Sequence, residues 1–258
     1  MTIKKQKLNT HNIEYSKQVV FFIDILAFKD MIQGKNKRTE DEIALILKRI
    51  NNFVDNKTFG KDNSKTVTQF SDSVILSFNY SKPSGLFYAI LDMLHLQFEL
   101  FHNNNVLVRG ACYLGNAYHD ENFCFGEAVN ESYLLQEKCA IYPRIIISDD
   151  IIKKCATYSI HINYDEENDI KKLLKQDTDG YWYIDYFSYD VVDSEMDKPE
   201  YWGYYMQKIR KNIEGGLEEK NISIKQKYLW LKDKYNRALS ETLINNYKKN
   251  FDIKLQKL

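Results

Sequence analysis

Neither sign of charge prevails in this sequence: Lys plus Arg and Asp plus Glu stand at 36 each, so the net charge is zero. That balance argues against a chain-wide basic surface of the kind that holds nucleic acid or anionic membrane. Cysteine is scarce. Cys112, Cys124, Cys139 and Cys155 form neither a CxxC pair nor a zinc-ribbon spacing, and they read as reduced, mostly buried thiols. The five histidines are scattered, without an HxxxH or HxH pair that would suggest a metal cage. No apolar stretch approaches the roughly 20 residues a membrane-spanning helix needs. The opening MTIKKQKLNTHN lacks the apolar core of a signal peptide. Internal repeats and low-complexity tracts are missing too. The expectation is a soluble, cytoplasmic protein that engages neither nucleic acid nor membrane.

What is present is a chain of 258 residues, 44% hydrophobic, with 19 tyrosines and 14 phenylalanines. That suffices for one large domain, or a domain with a substantial extension, with a real core and aromatic contact surfaces. Within it, VVFFIDILAFKD (19–30) sets Asp24 in the middle of an apolar run that predicts a buried strand. A buried carboxylate costs several kcal/mol unless it is paired, hydrogen-bonded or bound to a cation. Asp24 therefore needs a partner.

The pattern along the chain predicts a strand over 18–25, then a short helix or turn through LAFKDMIQG. Thr39 and Glu42 form a capping box for an amphipathic helix over 40–54. TVTQFSDSVILSF (66–78) reads as a tight hairpin about Ser71-Asp72-Ser73. A helix from Pro83 to about His102 follows, then a strand over 106–115, a helix from near Glu127, a strand over 142–148, the short helix DDIIKKC and a strand over 181–187. Hairpins mixed with helical crossovers predict an α+β, ferredoxin-like fold, one mostly antiparallel sheet with helices on a face. From about 196 two helices are expected, separated by Gly215-Gly216. Residues 1–190 are thus assigned to the main domain and 191–258 to a helical C-terminal extension packed on it.

Asp72, at the hairpin tip, is the candidate partner. Two carboxylates placed together repel unless protonated or bridged by cations, and an oxygen-only site favours magnesium or manganese over zinc. The alternative is that Asp24 pairs with a lysine or arginine while Asp72 shapes its turn.

Four segments in order resemble the class III nucleotidyl cyclases: FIDILAF their FxDIxGF strand, QFSDSVILSF their second metal-binding hairpin, RGACYLG their R-x-G-I-x-x-G strand and FGEAVN their W-G-x-x-V-N helix start. FSDSVILSF, GNAYHDENFCFGEAVNESYLLQ, AIYPRIIIS and KYLWLKDKYN carry a closer resemblance to the pyrimidine cyclases of bacterial antiphage (Pycsar) systems. The resemblance implies a class III cyclase homology domain that converts UTP or CTP to the 3′,5′-cyclic nucleotide and pyrophosphate, a second messenger for a separate effector protein. It implies two divalent cations, Mn2+ or Mg2+, on Asp24, Asp72 and the backbone of Ile25, and a homodimer with composite sites. Arg109 falls where some members hold phosphate, against the alternative of a strand-end salt bridge. Asn130 matches the ribose-orienting asparagine, against the alternative of a cap or helix-face residue.

Two departures accompany it. The transition-state arginine of conventional members falls at Leu134 here, which leaves Arg144 or Lys138 as the substitute, or surface charges. The purine-reading positions hold Thr68 and Phe123, where an aromatic fills space beside a smaller ring and Thr68 supplies one hydrogen bond; Phe123 as core is the alternative. A catalytically inactive nucleotide-binding or dimerisation module and a purine (adenylate or guanylate) cyclase are the other two functional readings.

Overall fold

A computed structural model describes residues 15–34, 36–55, 65–159, 165–195, 200–244 and 255–258. The apolar run forms β1 (Ser16–Ile25). Its pleat sends Val19, Phe21, Ile23 and Ile25 into the main core and leaves Phe22 and Asp24, on the other face, half-buried. Each fully buried side chain of this kind contributes about 1.5–3 kcal/mol. After β1 come α1 (Phe28–Gln33), α2 (Glu40–Asp55), β2 (Lys65–Phe70), β3 (Ser73–Asn79), α3 (Gly85–Asn104) and β4 (Val108–His119). These are followed by β5 (Cys124–Gly126), α4 (Glu127–Lys138), β6 (Ile145–Ile147), α5 (Asp149–Ala156), α6 (Glu166–Lys172), β7 (Leu174–Gln176) and β8 (Trp182–Ile184). The chain continues through α7 (Tyr189–Glu195), α8 (Glu200–Leu217) and α9 (Ile222–Ile244).

The strands make one mixed sheet in the order β2-β3-β1-β4-β6-β8-β7, with β5 paired to β4. The β2-β3-β1-β4 part is the ferredoxin-like arrangement, antiparallel throughout; β4 and β6 run parallel. One face carries the core built with α3, whose Leu86, Ile90, Met93, Leu94 and Phe98 are all buried. On the other face α4 lies over β1 and β4, closing a small cluster of Val20, Ala117 and Ala128. Phe22 meets Tyr133 of α4 edge-on at 5.2 Å. No helix among the described residues is long and apolar enough to cross a membrane.

Local chemistry sets the ends of the elements. The backbone N–H of Thr39 donates to Glu42 Oε2 at 2.9 Å, and that of Glu42 donates to Thr39 Oγ1 at 3.2 Å, closing the capping box. The strand expected over 181–187 ends at Ile184, because Asp185 turns the chain by accepting from the N–H groups of Phe187 and Ser188. Gly215 and Gly216 lie within the last turn of α8 rather than between two helices. A Cβ on Gly216 would stand 2.2 Å from the ring of Tyr228, so the glycine lets α9 cross close to α8. The short elements α6, β7 and α7 are additions to the expected order. The four cysteines are free, Cys112 and Cys155 buried, Cys124 and Cys139 half-buried.

Gly126 controls how β5 hands over to α4. Its φ is +134°, and an added Cβ would meet Asn116 O at 2.6 Å and Ala117 Cα at 2.7 Å. Gly126→Ala is therefore expected to cost at least about 1–3 kcal/mol, from a backbone conformation that disfavours side chains. A fall in the urea midpoint at unchanged m-value checks this.

Candidate active site

Backbone pairing brings Asp24, Asp72 and Arg109 together. Asp24 lies opposite Ser73 on β3 and opposite Arg109 on β4. Asp72 sits in the β2–β3 turn, which Ser71 tightens by adopting a left-handed φ of 56°. The Ile25 N–H donates to Asp72 O at 3.0 Å, tying the hairpin tip to the end of β1. Arg109 Nε donates to Asp24 Oδ2 at 3.1 Å, and both side chains are about one-fifth exposed.

The electrostatics fit two acids held close. Burial lifts the Asp24 carboxyl above its ordinary value; Arg109 opposes the lift, and Asp72 adds to it by repulsion and hydrogen bonding. Both partners weighed in the sequence are therefore present, the arginine as an ion pair and Asp72 as a neighbouring acid. Among the described residues no cluster of three or more His, Cys, Asp and Glu could hold a metal. The donors that the structure sets side by side for a divalent cation are the two carboxylates; the Ile25 carbonyl is a further ligand only by the resemblance. Such a hard, incomplete oxygen set suits Mg2+ or Mn2+, which keep water and phosphate oxygens as their other ligands. A cation there would offset the burial, and the smaller repulsion from Asp72, that raise Asp24, and would compete with Arg109 for its carboxylate.

The C-terminal helix carries a cation whose charge is felt by Arg109. Burial lowers the ammonium pKa of Lys227 on α9, and repulsion from Arg109 lowers it further. Lys227 Nζ reaches Ser223 O at 3.4 Å, and no carboxylate pairs with it among the described residues. One residue on, burial raises the Tyr228 hydroxyl, and the charges of Glu219 and Asp30 add to the rise. Asp30 belongs to α1, the helix that follows Asp24. Nothing in the local sequence marks Lys227, because a lysine in a charged helix reads as solvated surface.

The remaining candidates divide. Asn130 is exposed on α4, and one turn on Leu134 is half-buried. Leu134 and the exposed Lys138 line a cavity of about 400 Å³ between α4, α5 and β4, which includes neither aspartate. Thr68 Oγ1 lies 2.9 Å from His119 Nε2, while Phe123 is about half exposed, stacks with Phe125 and meets Tyr118 at a tilt. Thr68 lies on the same face as Asp24, which α4 covers over β1 and β4 and which is more open over β2, where Phe70 is exposed: Thr68, Ile75, Phe22 and Ala111 form one row, and Phe70, Ser73, Asp24 and Arg109 the next. His119 ends the same alternation that starts at Arg109. That period of two is the signal that could have found it.

Arg144 is not brought to the aspartate pair. Its side chain is 1% exposed. Nη1 donates to Asp177 Oδ2 at 2.7 Å, and Nη2 forms an ion pair with Asp179. Lys234 Nζ and Trp230 Nε1 of α9 donate to the same Asp177 at 2.8 and 2.7 Å. The guanidinium thus joins the C-terminal helix to the sheet, and the two aspartates that claim it lie 33 and 35 residues away in sequence.

No family model matches the sequence, and no curated protein matches it. Solved structures with a similar arrangement include a bacterial light-regulated adenylyl cyclase, at 20% identity over 57% of this chain and 46% of that one, TM-score 0.42. This chain spans less than half the length of that protein. The monomeric guanylyl cyclase domain of the RhoGC fusion protein from the aquatic fungus Blastocladiella emersonii matches at 11% identity over 66% and 95%, TM-score 0.43. An adenylate/guanylate cyclase/hydrolase from Silicibacter pomeroyi matches at 12% identity over 67% and 98%, TM-score 0.41.

Proposed function

We propose that this chain is a metal-dependent nucleotidyl cyclase acting on a pyrimidine nucleoside triphosphate, UTP or CTP. The observation that carries the reading is the pair of acids, Asp24 and Asp72, held beside Arg109 where burial and mutual repulsion raise Asp24. A protein gains nothing in stability from such a pair, which makes a site its natural explanation. Divalent Mg2+ or Mn2+, when bound, would polarise the ribose 3′-hydroxyl and neutralise the triphosphate. Arg109, released from Asp24, would donate to phosphate oxygens, with Lys227 as a second cation beside it. In the reaction the 3′-oxygen bonds to the α-phosphorus, the hydroxyl proton passes to solvent, and the bond from the α-phosphorus to the α–β bridging oxygen breaks to release pyrophosphate.

The exposed Phe70 and the half-buried Phe22 give the open sheet face an apolar border. A second copy docked there in a homodimer would add Asn130, Thr68 and Phe123 of the partner subunit to the triphosphate end. The cyclic nucleotide would serve as a second messenger for a separate effector in antiphage defence. One observation favours a nucleotide-binding module without turnover: Leu134 replaces the expected arginine, and Arg144 is committed elsewhere.

Incubation with each of the four NTPs and Mn2+, with products identified by mass, tests the reading. A cyclic pyrimidine nucleotide is expected. A cyclic purine product overturns the base assignment, and binding without turnover favours the inactive module. Lys227→Ala is expected to raise KM for the triphosphate about tenfold, the scale of one charge-assisted hydrogen bond, at similar kcat. Unchanged KM would remove Lys227 from the site.

A further inference from the structure

His119 holds two hydroxyls at once. Its Nε2 lies 2.9 Å from Thr68 Oγ1 and its Nδ1 lies 2.8 Å from Ser77 Oγ. Ser77 is 2% exposed, whereas Thr68 is half-buried and can reach the open face. Burial lowers the imidazole pKa, with Asp120 a smaller opposing influence, so the neutral ring is favoured. A neutral ring has one N–H and one lone pair, so it donates to one hydroxyl and accepts from the other.

The two tautomers leave different buried groups satisfied. With the proton on Nε2, the ring donates to Thr68, the Ser77 hydroxyl donates to Nδ1, and the Thr68 hydroxyl hydrogen is left for the open face. With the proton on Nδ1, the Ser77 hydroxyl hydrogen loses the ring as its acceptor, and Thr68 spends its hydrogen on the ring. Among the described residues the Ser77 hydroxyl has His119 as its side-chain partner. A buried donor without an acceptor is costly, while Thr68 can turn to water or ligand. The proton therefore belongs on Nε2.

We infer that His119 is a positioning residue that fixes Thr68 as a hydrogen-bond donor and so selects a pyrimidine with a 4-oxo group over one with a 4-amino group. This rests on the reading that Thr68 faces the base. Uracil presents an acceptor oxygen at position 4, which a donating hydroxyl satisfies. Cytosine presents an amino donor there, which can use only the remaining Thr68 lone pair and leaves the Thr68 hydrogen without an acceptor in the closed site. UTP is therefore the substrate, and the preference is set one residue behind the contact.

Steady-state kinetics with UTP and CTP test this in wild type, Thr68→Val and His119→Ala, alongside two-bond ¹⁵N–¹H correlation spectra of the imidazole. The expected results are a wild-type preference for UTP in kcat/KM, a collapse of that ratio by about tenfold or more in both variants, and an Nε2-protonated ring. Thr68→Val keeps the shape of an edge-strand residue, so it reports even where His119→Ala weakens the fold. Equal losses for both substrates, a preference for CTP, or an Nδ1-protonated ring overturns the inference and leaves the cyclase reading standing. Absence of cyclic product from every NTP in the wild type overturns the cyclase reading, and this inference with it.

Discussion

Replacing Asp24 or Asp72 with asparagine is expected, on the proposed cyclase reading, to lower cyclic-nucleotide formation by about a thousandfold, the scale of groups that manage charge in phosphoryl transfer, and to leave the protein folded. The stability half of this result is as informative as the loss of activity. The Asp24 carboxyl is raised in the folded protein, chiefly by burial, so folding favours its protonated form. The sign follows from linkage: the folded state holds the proton more tightly, and metal-free stability declines as pH rises from the ordinary carboxylate value through the raised one. The neutral amide introduced by Asp24→Asn mimics the protonated acid and can still accept from Arg109. Asp24→Asn is therefore expected to match or exceed wild-type stability above that window, and to flatten the decline within it. Added Mn2+ should raise the wild-type melting temperature by mass action and have little effect on the variant. Thermal melts across pH, with and without Mn2+, check both. A variant that unfolds, or that keeps full activity, contradicts the site.

Arg144→Ala acts differently. It leaves Asp177 with Lys234 and Trp230 but removes a guanidinium that is 1% exposed and paired to two carboxylates. Breaking a buried pair from one side costs about 3–5 kcal/mol, which corresponds to roughly 10 °C of melting temperature for a chain of this size. Activity per folded molecule should change little. Burial pushes Asp177 up, but hydrogen bonds from Lys234, Trp230 and the Thr178 N–H outweigh it and hold the carboxyl below its ordinary value. The stability this carboxylate contributes is present above the ordinary carboxylate range and is lost as pH falls through the depressed value. The clamp that fastens α9 is thus expected to loosen in acid. A thousandfold loss of kcat at unchanged melting temperature would instead restore Arg144 as the transition-state cation.

Much of this is legible in the sequence where a period or a cap carries it. The alternation around Asp24, the Thr39–Glu42 box and the Ser71-Asp72-Ser73 turn each determine local geometry through nearest neighbours, and each appears in the structure. What escapes depends on residues far apart in the chain. The partners of Arg144 come from 177 and 179, and nothing near Tyr142-Pro143-Arg144 marks it as buried. Gly215-Gly216 reads as a break because glycine in a helix usually is one; here the tight crossing of α9 over Gly216 outweighs its propensity. His119 meets Thr68 and Lys227 comes within the electrostatic reach of Arg109 only through tertiary packing, the first from the far end of β4 and the second from α9.

The most direct measurement is the stoichiometry of what the purified protein makes from UTP in Mn2+. The account predicts 3′,5′-cyclic UMP and pyrophosphate in equal amounts, dependent on Asp24 and Asp72. UMP or UDP with released orthophosphate, or no turnover under conditions where UTP binds, would contradict it.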